Sequence, residues 1–415
     1  MRMDVETGQN ITERDLDRIL LRGILTYVGN PRISIQLWNG NELTPPDAPP
    51  VARVKICARR AVFEILRSPS VGFGEGYSKG TIEIHGDVQA CLNEIDASIA
   101  LRQRKATFRP GIRSLLNTVR GNSRRRSRRN VHHHYDIGND FYRQWLDERM
   151  IYTCAYFETP TATLAEAQLA KLDYVCRKLR LEPGQKVVEA GCGWGALAMH
   201  MAEHYGVDVL AYNSSAEQVA FAREQVAAKK LDDRVTFIED DYRAIDEHCD
   251  AFVSVGMLEH VGLAHFEELG QIIARSLRPD GIGLLHSIGR SFPNPTDPWI
   301  VKHIFPGGHI PSLSEIMRVF EPQQFSIVDV ENLRLHYART CINWLQNFEA
   351  VADKITETHG EAFVRMWRLY LAGSAAGFEA GSLQLYQIVF TPAGNNNLPF
   401  TRDYLYENRR KGTPD

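Results

Sequence analysis

Short apolar runs and amphipathic stretches alternate along the second half of the chain. Val187–Ala190, Asp208–Tyr212, Val235–Glu239, Ala251–Val255 and Gly283–His286 are brief and rich in aliphatic residues, as buried parallel strands are. Between them, Ala196–Tyr205, Ala216–Lys229 and Phe266–Leu277 carry apolar residues at helical spacing. Strand and helix in turn predict a doubly wound parallel sheet with right-handed crossovers. The run Leu383–Phe390 is expected as a final edge strand, and residues 298–375 as a largely helical insertion that could roof a pocket.

The first hundred residues follow another pattern. Leu16, Ile19, Leu20, Ile24 and Leu25 have helical spacing over Asp15–Tyr27, whereas Arg32–Trp38 alternates as a half-buried strand. A proline-rich loop, Leu43–Val51, leads to a short helix over Ala61–Leu66. The glycine-rich stretch Val71–Gly80 precedes a strand over Thr81–His85, and Asp87 is the expected N-cap of the next helix. The division expected from these patterns is a small α+β domain at 1–100, a linker at 101–130, a main domain at 131–395 and a tail at 396–415. The main domain opens with a loop running into a helix near Asp140, an aromatic loop at Met150–Phe157 and a helix over Thr163–Leu181.

Composition narrows the class. No run of about 20 apolar residues predicts a membrane-spanning helix, and the polar N-terminus lacks the apolar core of a signal peptide. Seven cysteines without a Cys-x-x-Cys pair suggest neither a zinc site nor a disulfide framework, so a cytoplasmic location is expected. No metal is expected at His132, His133 and His134, since adjacent histidines cannot all face one ion. The net charge is only −3, but no acidic residue lies between Asp96 and Asp136. That gap holds Arg102, Arg104, Lys105, Arg109, Arg113, Arg120, Arg124, Arg125, Arg126, Arg128 and Arg129. Such a run is a solvated linker or a contact for a polyanion. With Phe108 the only aromatic residue from Leu101 to Asn130, an anionic membrane surface is expected and no nucleic acid.

The chemistry centres on Glu189-Ala-Gly-Cys-Gly-Trp-Gly195, between the first strand of the series and its helix. Glycines at a strand–helix turn admit a nucleotide close to the backbone. Gly191-x-Gly193-x-x-Ala196 also fits a dinucleotide fingerprint, which needs an acid roughly 20 positions on. Ala211–Ser215 holds none. Glu-x-Gly-x-Gly-x-Gly instead resembles the first motif of S-adenosylmethionine-dependent methyltransferases. Ligands of open parallel sheets lie beyond the carboxyl ends of the strands. The ends here offer Glu189 and the glycines, then Asn213, Ser214 and Gln218, then Glu239–Tyr242, then Gly256–Gly262, then His286–Gly289. Glu259 and His286 should therefore converge.

Together with His134–Asn139, Tyr152–Phe157, Ser215–Gln218, Asp241–Arg243, Ser254–Gly262, Leu285–Gly289 and Trp299–Pro306, these residues resemble cyclopropane-fatty-acyl-phospholipid synthases. The resemblance implies a class I methyltransferase fold with a seven-stranded, mostly parallel sheet, a helical insertion and a small N-terminal α+β domain. It implies methyl transfer from S-adenosylmethionine to a cis double bond of a phospholipid acyl chain, then ring closure. It also implies a bound bicarbonate ion as base, held by Cys154, Glu259, His286 and the backbone of Ile288. The implied cofactor contacts are Tyr152, Thr153, Gly191, Gly193, Ser214, Gln218, Asp241 and Tyr242, and Glu189 and Gly195 complete the loop. Tyr156, Phe157, Trp299 and Tyr370 are candidates for facing a cationic intermediate. The family tyrosine that completes the bicarbonate site falls on Leu345, so Tyr337 substitutes or the anion is held less well. A methyl- or methylene-branched product is the alternative, and a non-catalytic lipid-binding homologue a second one. The implied setting is an unsaturated phospholipid at the inner membrane face, met by a peripheral homodimer.

Overall fold

The computed structural model describes residues 13–45, 48–105 and 137–406 and divides into two compact units. One comprises Met1–Arg109 and Thr356–Ala380, the other Pro110–Ile355 and Gly381–Asp415. Most of the arginine-rich run and His132–His134 lie outside the described residues.

The first unit contains α1 (Glu13–Tyr27), β1 (Ile33–Leu37), β2 (Glu42–Leu43), β3 (Ala52–Ile56), α2 (Arg59–Arg67), α3 (Pro69–Ser78), β4 (Ile82–His85) and α4 (Val88–Lys105). Its sheet has the order β2-β1-β3-β4, with β1 and β3 parallel and antiparallel strands outside them. Alternation buries Ile33, Ile35, Leu37, Val54, Ile56 and Ile82 in one core with Ala61, Val62 and Ile65 of α2. Asp87 caps α4 as expected, accepting from Ala90 N at 3.0 Å. The glycine-rich stretch is largely the helix α3. A Cβ at Gly72 would lie 2.4 Å from Glu64 O of α2, and one at Gly76 2.6 Å from Ile82 Cδ1, so the glycines permit close packing here. The long helix Glu361–Ala380 belongs to this unit and interrupts the simple succession of domains expected from sequence. Its Arg365 donates to Tyr77 O (2.6 Å) and Ile82 O (2.9 Å), and its Glu379 accepts from Asn93 at 2.6 Å.

The second unit contains α5 (Asn139–Tyr142), α6 (Leu164–Lys178), β5 (Lys186–Ala190), α7 (Ala196–Tyr205), β6 (Asp208–Asn213), α8 (Ala216–Lys229), β7 (Val235–Glu239), β8 (Cys249–Val255), α9 (Leu258–Val261), α10 (Phe266–Ser276), β9 (Leu277–Gly289), α11 (Pro298–His303), β10 (Phe325–Asn332), α12 (Arg334–Ala350) and β11 (Gln384–Pro392). Its seven strands run β10-β11-β9-β8-β5-β6-β7. The five from β9 to β7 are parallel, and β11 is antiparallel to both its neighbours. The expected doubly wound sheet is therefore present.

Two local expectations are corrected. β11 is an inner strand, because β10 within the expected helical insertion pairs along its outer side. Burial agrees: β11 is buried at eight successive positions, whereas β10 is largely open. Asp140 does not cap α5, where Gly138 is the N-cap, but forms an ion pair with Arg143 at 3.0 Å. The tail is packed as far as it is described: Leu405 is buried and Arg402 pairs with Asp329 at 2.8 Å.

Candidate functional site

The order of strands changes direction at β5, which lies between β8 and β6. A crevice opens at such a point beyond the carboxyl ends of the strands. The three glycines there have different tasks. Gly191 and Gly195 take φ of +86°, and a Cβ on them would lie 2.8 Å from Met257 and 2.5 Å from Phe237, respectively. Gly193, at φ +54°, has no atom within 4 Å of its Cβ position and is the open face of the turn. Asn213 secures the turn by donating to Gly193 O (3.0 Å) and to Gln218 Oε1 (2.9 Å). Ser214 is half-buried beside it, while Ser215 caps α8. The Asp241 carboxylate is occupied by Arg243 through two contacts of 3.0 Å, and the guanidinium lies 4.6 Å from the Tyr242 ring.

The loop Met150–Phe157 is tied down from two sides. From α6, Gln168 donates to Thr153 O at 2.8 Å and Lys171 Nζ to Thr153 Oγ1 at 2.9 Å. From α12, Thr340 Oγ1 accepts from Ala155 N at 3.0 Å and His336 Nδ1 from Phe157 N at 3.0 Å. Thr153 also approaches the end of β8, since a Cβ on Gly256 would lie 3.1 Å from its Cγ2. Tyr152 enters a buried aromatic group. Its ring centroid lies 5.3 Å from Tyr142, 5.5 Å from Trp145 and 5.1 Å from Trp344, and Tyr142 is 5.2 Å from Trp194 of the glycine turn.

Glu259 on α9 and His286 on β9 are both buried. Ile288 N donates to Glu259 Oε1 at 2.6 Å, and Glu259 Oε2 has no hydrogen-bond partner among the described residues. Burial pushes the Glu259 carboxyl up to about 7. His286 Nδ1 meets Gln387 Nε2 at 3.1 Å, and its Nε2 also has no partner. Burial, with Lys171 and Lys178 nearby, holds this imidazole neutral, well below its usual range. Cys154 Sγ donates to Ala155 O at 3.2 Å, and burial raises the thiol, so it is not a thiolate. Glu189 is buried on β5 with Oε2 unpartnered, and burial lifts it to about 8 against the pull of Lys171.

The sequence reading passed over Lys171, a buried ammonium lowered by burial to about 8 and within electrostatic reach of Cys154, Glu189 and His286. The signal was present: Gln168, Lys171 and Lys178 sit at helical spacing among the buried residues of α6. Of the candidate aromatics Tyr156, Phe157, Trp299 and Tyr370, the first two share the His336 ring as a neighbour, at 4.8 and 6.4 Å. Tyr156 stacks on Tyr174 at 4.2 Å, Phe157 faces Arg339 at 4.2 Å, Trp299 lies 5.8 Å from His303, and Tyr370 packs on Trp367 in the other unit. Leu345 is half-buried next to Trp344 on α12, and Tyr337 is buried with its ring 6.0 Å from that tryptophan.

Comparison with known proteins gives two families. One described as mycolic acid cyclopropane synthetase matches residues 122–388, and a domain of unknown function matches residues 20–101. A probable fatty acid methyltransferase of Pseudomonas putida is 35% identical, over 90% of this chain and 96% of its own length. The cyclopropane-fatty-acyl-phospholipid synthase of Escherichia coli K12 is 41% identical, over 65% of this chain and 69% of its own. Among solved structures, the mycolic acid cyclopropane synthase CmaA1 complexed with SAH and CTAB is 32% identical, with a TM-score of 0.60 over 63% of this chain and 97% of that one.

Proposed function

The chain belongs to the mycolic acid cyclopropane synthetase family and is an S-adenosylmethionine-dependent methyltransferase of the cyclopropane synthase type, and on that premise we propose that it converts a cis double bond in a phospholipid acyl chain into a cyclopropane ring. The observation that carries this reading is the pair of buried, unpartnered atoms, Glu259 Oε2 and His286 Nε2, at the ends of neighbouring strands. S-adenosylmethionine supplies an electrophilic methyl group on a sulfonium. The open side of Gly193, with Ser214 and the free amide end of Gln218, would hold it, and Asp241 and Tyr242 would border it. Tyr152 carries the adjoining wall and offers its ring to positive charge on the acyl chain, backed by the buried Trp344 and Trp145.

The loss of a proton from the new methyl requires a base. Glu259 Oε2 and His286 Nε2 fit a small oxyanion such as bicarbonate, which would supply that base. Cys154 and the Ile288 N–H have other hydrogen bonds here, so they orient the loop and Glu259. Because Leu345 offers no hydroxyl, the second reading is a methyl- or methylene-branched product, in keeping with the kinship to a probable fatty acid methyltransferase. Lipids from cells expressing the protein, analysed by mass spectrometry and NMR, test both. A gain of one CH2 with ring proton signals is expected. A gain with branched-methyl signals would move the assignment to the second reading, and no gain would overturn both.

An anionic membrane face, approached by a peripheral homodimer from the cytoplasm, is the setting proposed for this substrate. No described helix is long and apolar enough to cross a membrane. Replacing Arg124, Arg125, Arg126, Arg128 and Arg129 by Ser should weaken binding to anionic vesicles, most at low salt, since each cationic side chain adds about 1 kcal/mol at such a surface. Unchanged cosedimentation would return the run to a solvated linker.

A further inference from the structure

We infer that Gln387, held by Lys178 and Glu331, is a positioning residue that keeps His286 in the Nε2–H tautomer and so makes it a hydrogen-bond donor to the reaction site. Its importance for turnover rests on the function proposed above, while the tautomer itself does not.

Sheet register brings the parts together. His286 on β9 is directly opposite Gln387 on β11, and Gln387 is directly opposite Glu331 on β10. Cross-strand partners project to the same face of a sheet. Lys178, from the last turn of α6, reaches this row: its Nζ lies 2.5 Å from Glu331 Oε2 and 2.7 Å from Gln387 Oε1, and 4.6 Å from the Tyr174 ring. Lys178, Gln387 and His286 are all buried, and Glu331 is the one member of the row partly open to water.

The shape of an amide does not distinguish its oxygen from its nitrogen, but the neighbours do. An ammonium has three donors and no acceptor, so the atom of Gln387 facing Lys178 is the oxygen. Its NH2 group then faces His286 Nδ1, at 3.1 Å. Nδ1 must accept, and the ring proton sits on Nε2, the nitrogen without a partner. The imidazolium form is excluded on the same grounds, because Nδ1–H would point at two N–H bonds in a buried site with Lys171 and Lys178 close by. Glu331 offsets the charge of Lys178, and a buried ammonium needs such a counter-charge. The row runs from a half-exposed carboxylate to the reacting centre, and each link orients the next.

The test is long-range proton–nitrogen NMR on full-length protein with 15N-labelled histidine, the His286 signal being assigned by its loss in His286→Gln. Wild type should show an unprotonated Nδ1 and a protonated Nε2, unchanged from neutral to mildly alkaline pH. An Nδ1–H tautomer or an imidazolium there would overturn the inference without any variant having to fold. Gln387→Glu keeps an acceptor for Lys178 but presents only acceptors to Nδ1. It should move the proton to Nδ1, and methyl transfer should fall on the order of 100-fold, the scale of losing one preorganised donor. S-adenosylhomocysteine affinity should not change. An unshifted His286 signal in this variant would also overturn the inference. A shifted signal with full activity would uphold the relay and overturn the part assigned to His286 in the reaction.

Discussion

The two sides of the seven-stranded sheet end in different chemistry. On the side of β6 and β7 several polar groups satisfy one another: Asn213 binds Gly193 and Gln218, Ser215 caps α8, and Asp241 is paired with Arg243. On the side of β8, β9 and β11 they do not, for Glu259 Oε2 and His286 Nε2 are buried without partners and both titrations are displaced. A donor-binding turn needs rigidity, which satisfied hydrogen bonds provide. A reacting centre needs groups whose hydrogen-bonding capacity is still available, and the fold bears the destabilisation.

On that contrast, the largest effect belongs to the reaction side. Glu259→Gln removes the carboxylate yet keeps an oxygen for Ile288 N. Turnover should fall at least on the order of 1,000-fold, as for loss of a group acting in the transition state. Calorimetry should show S-adenosylhomocysteine affinity unchanged, and a fully active variant would sink the assignment. On the donor side the pattern should invert. A larger side chain at the open position, Gly193→Leu, should weaken S-adenosylhomocysteine on the order of 10- to 100-fold, about 1.4 to 2.8 kcal/mol. Equal affinity for wild type and variant would place the donor elsewhere.

The pH profile should report Glu259 and Lys171. With Glu259 near 7 and Lys171 near 8, the form with an ionised carboxylate and a charged ammonium exists in a narrow window. The methyl-transfer rate should rise as pH passes 7 and decline above 8, about tenfold per unit on each flank. Lys171→Gln should remove the alkaline flank, and a persistent decline in that variant would assign it to another group. The smallest effect concerns stability. Glu189 titrates near 8 in the fold, against an ordinary value of 4.5. A raised carboxyl costs nothing while both states hold the proton, and destabilises progressively as pH rises from 4.5 to 8. Glu189→Gln should therefore match wild type in denaturant unfolding at pH 4 and exceed it at pH 8.5, on the order of 2 kcal/mol. A gain that does not vary with pH would exclude this origin.

Much of the architecture was legible without coordinates, and the errors have a common cause. The βα alternation, the turn at Gly191–Gly195 and the capping of α4 by Asp87 depend on periodicities or contacts a few residues apart. The edge strand was misplaced because β10 and β11 are separated in the chain by two long helices, and nothing local says which is outermost. Cationic-site aromatics were expected from the chemistry that the resemblance implies, but the group that assembles around Tyr152 comes from α5, α6's preceding loop, the glycine turn and α12.

The sequence by itself determined the sheet class, the strand that carries the glycine turn proposed for the methyl donor, and the placement of Glu259 and His286 at neighbouring strand ends. Those follow from apolar spacing and from the rule that parallel strands end on one side. Only the tertiary structure decided which polar atoms stay unpartnered, that Lys171 and Lys178 point inward, and that Gln387 stands against His286. Partnership and burial depend on strand register and helix docking between residues a hundred positions apart, and such contacts leave no periodic trace along the chain.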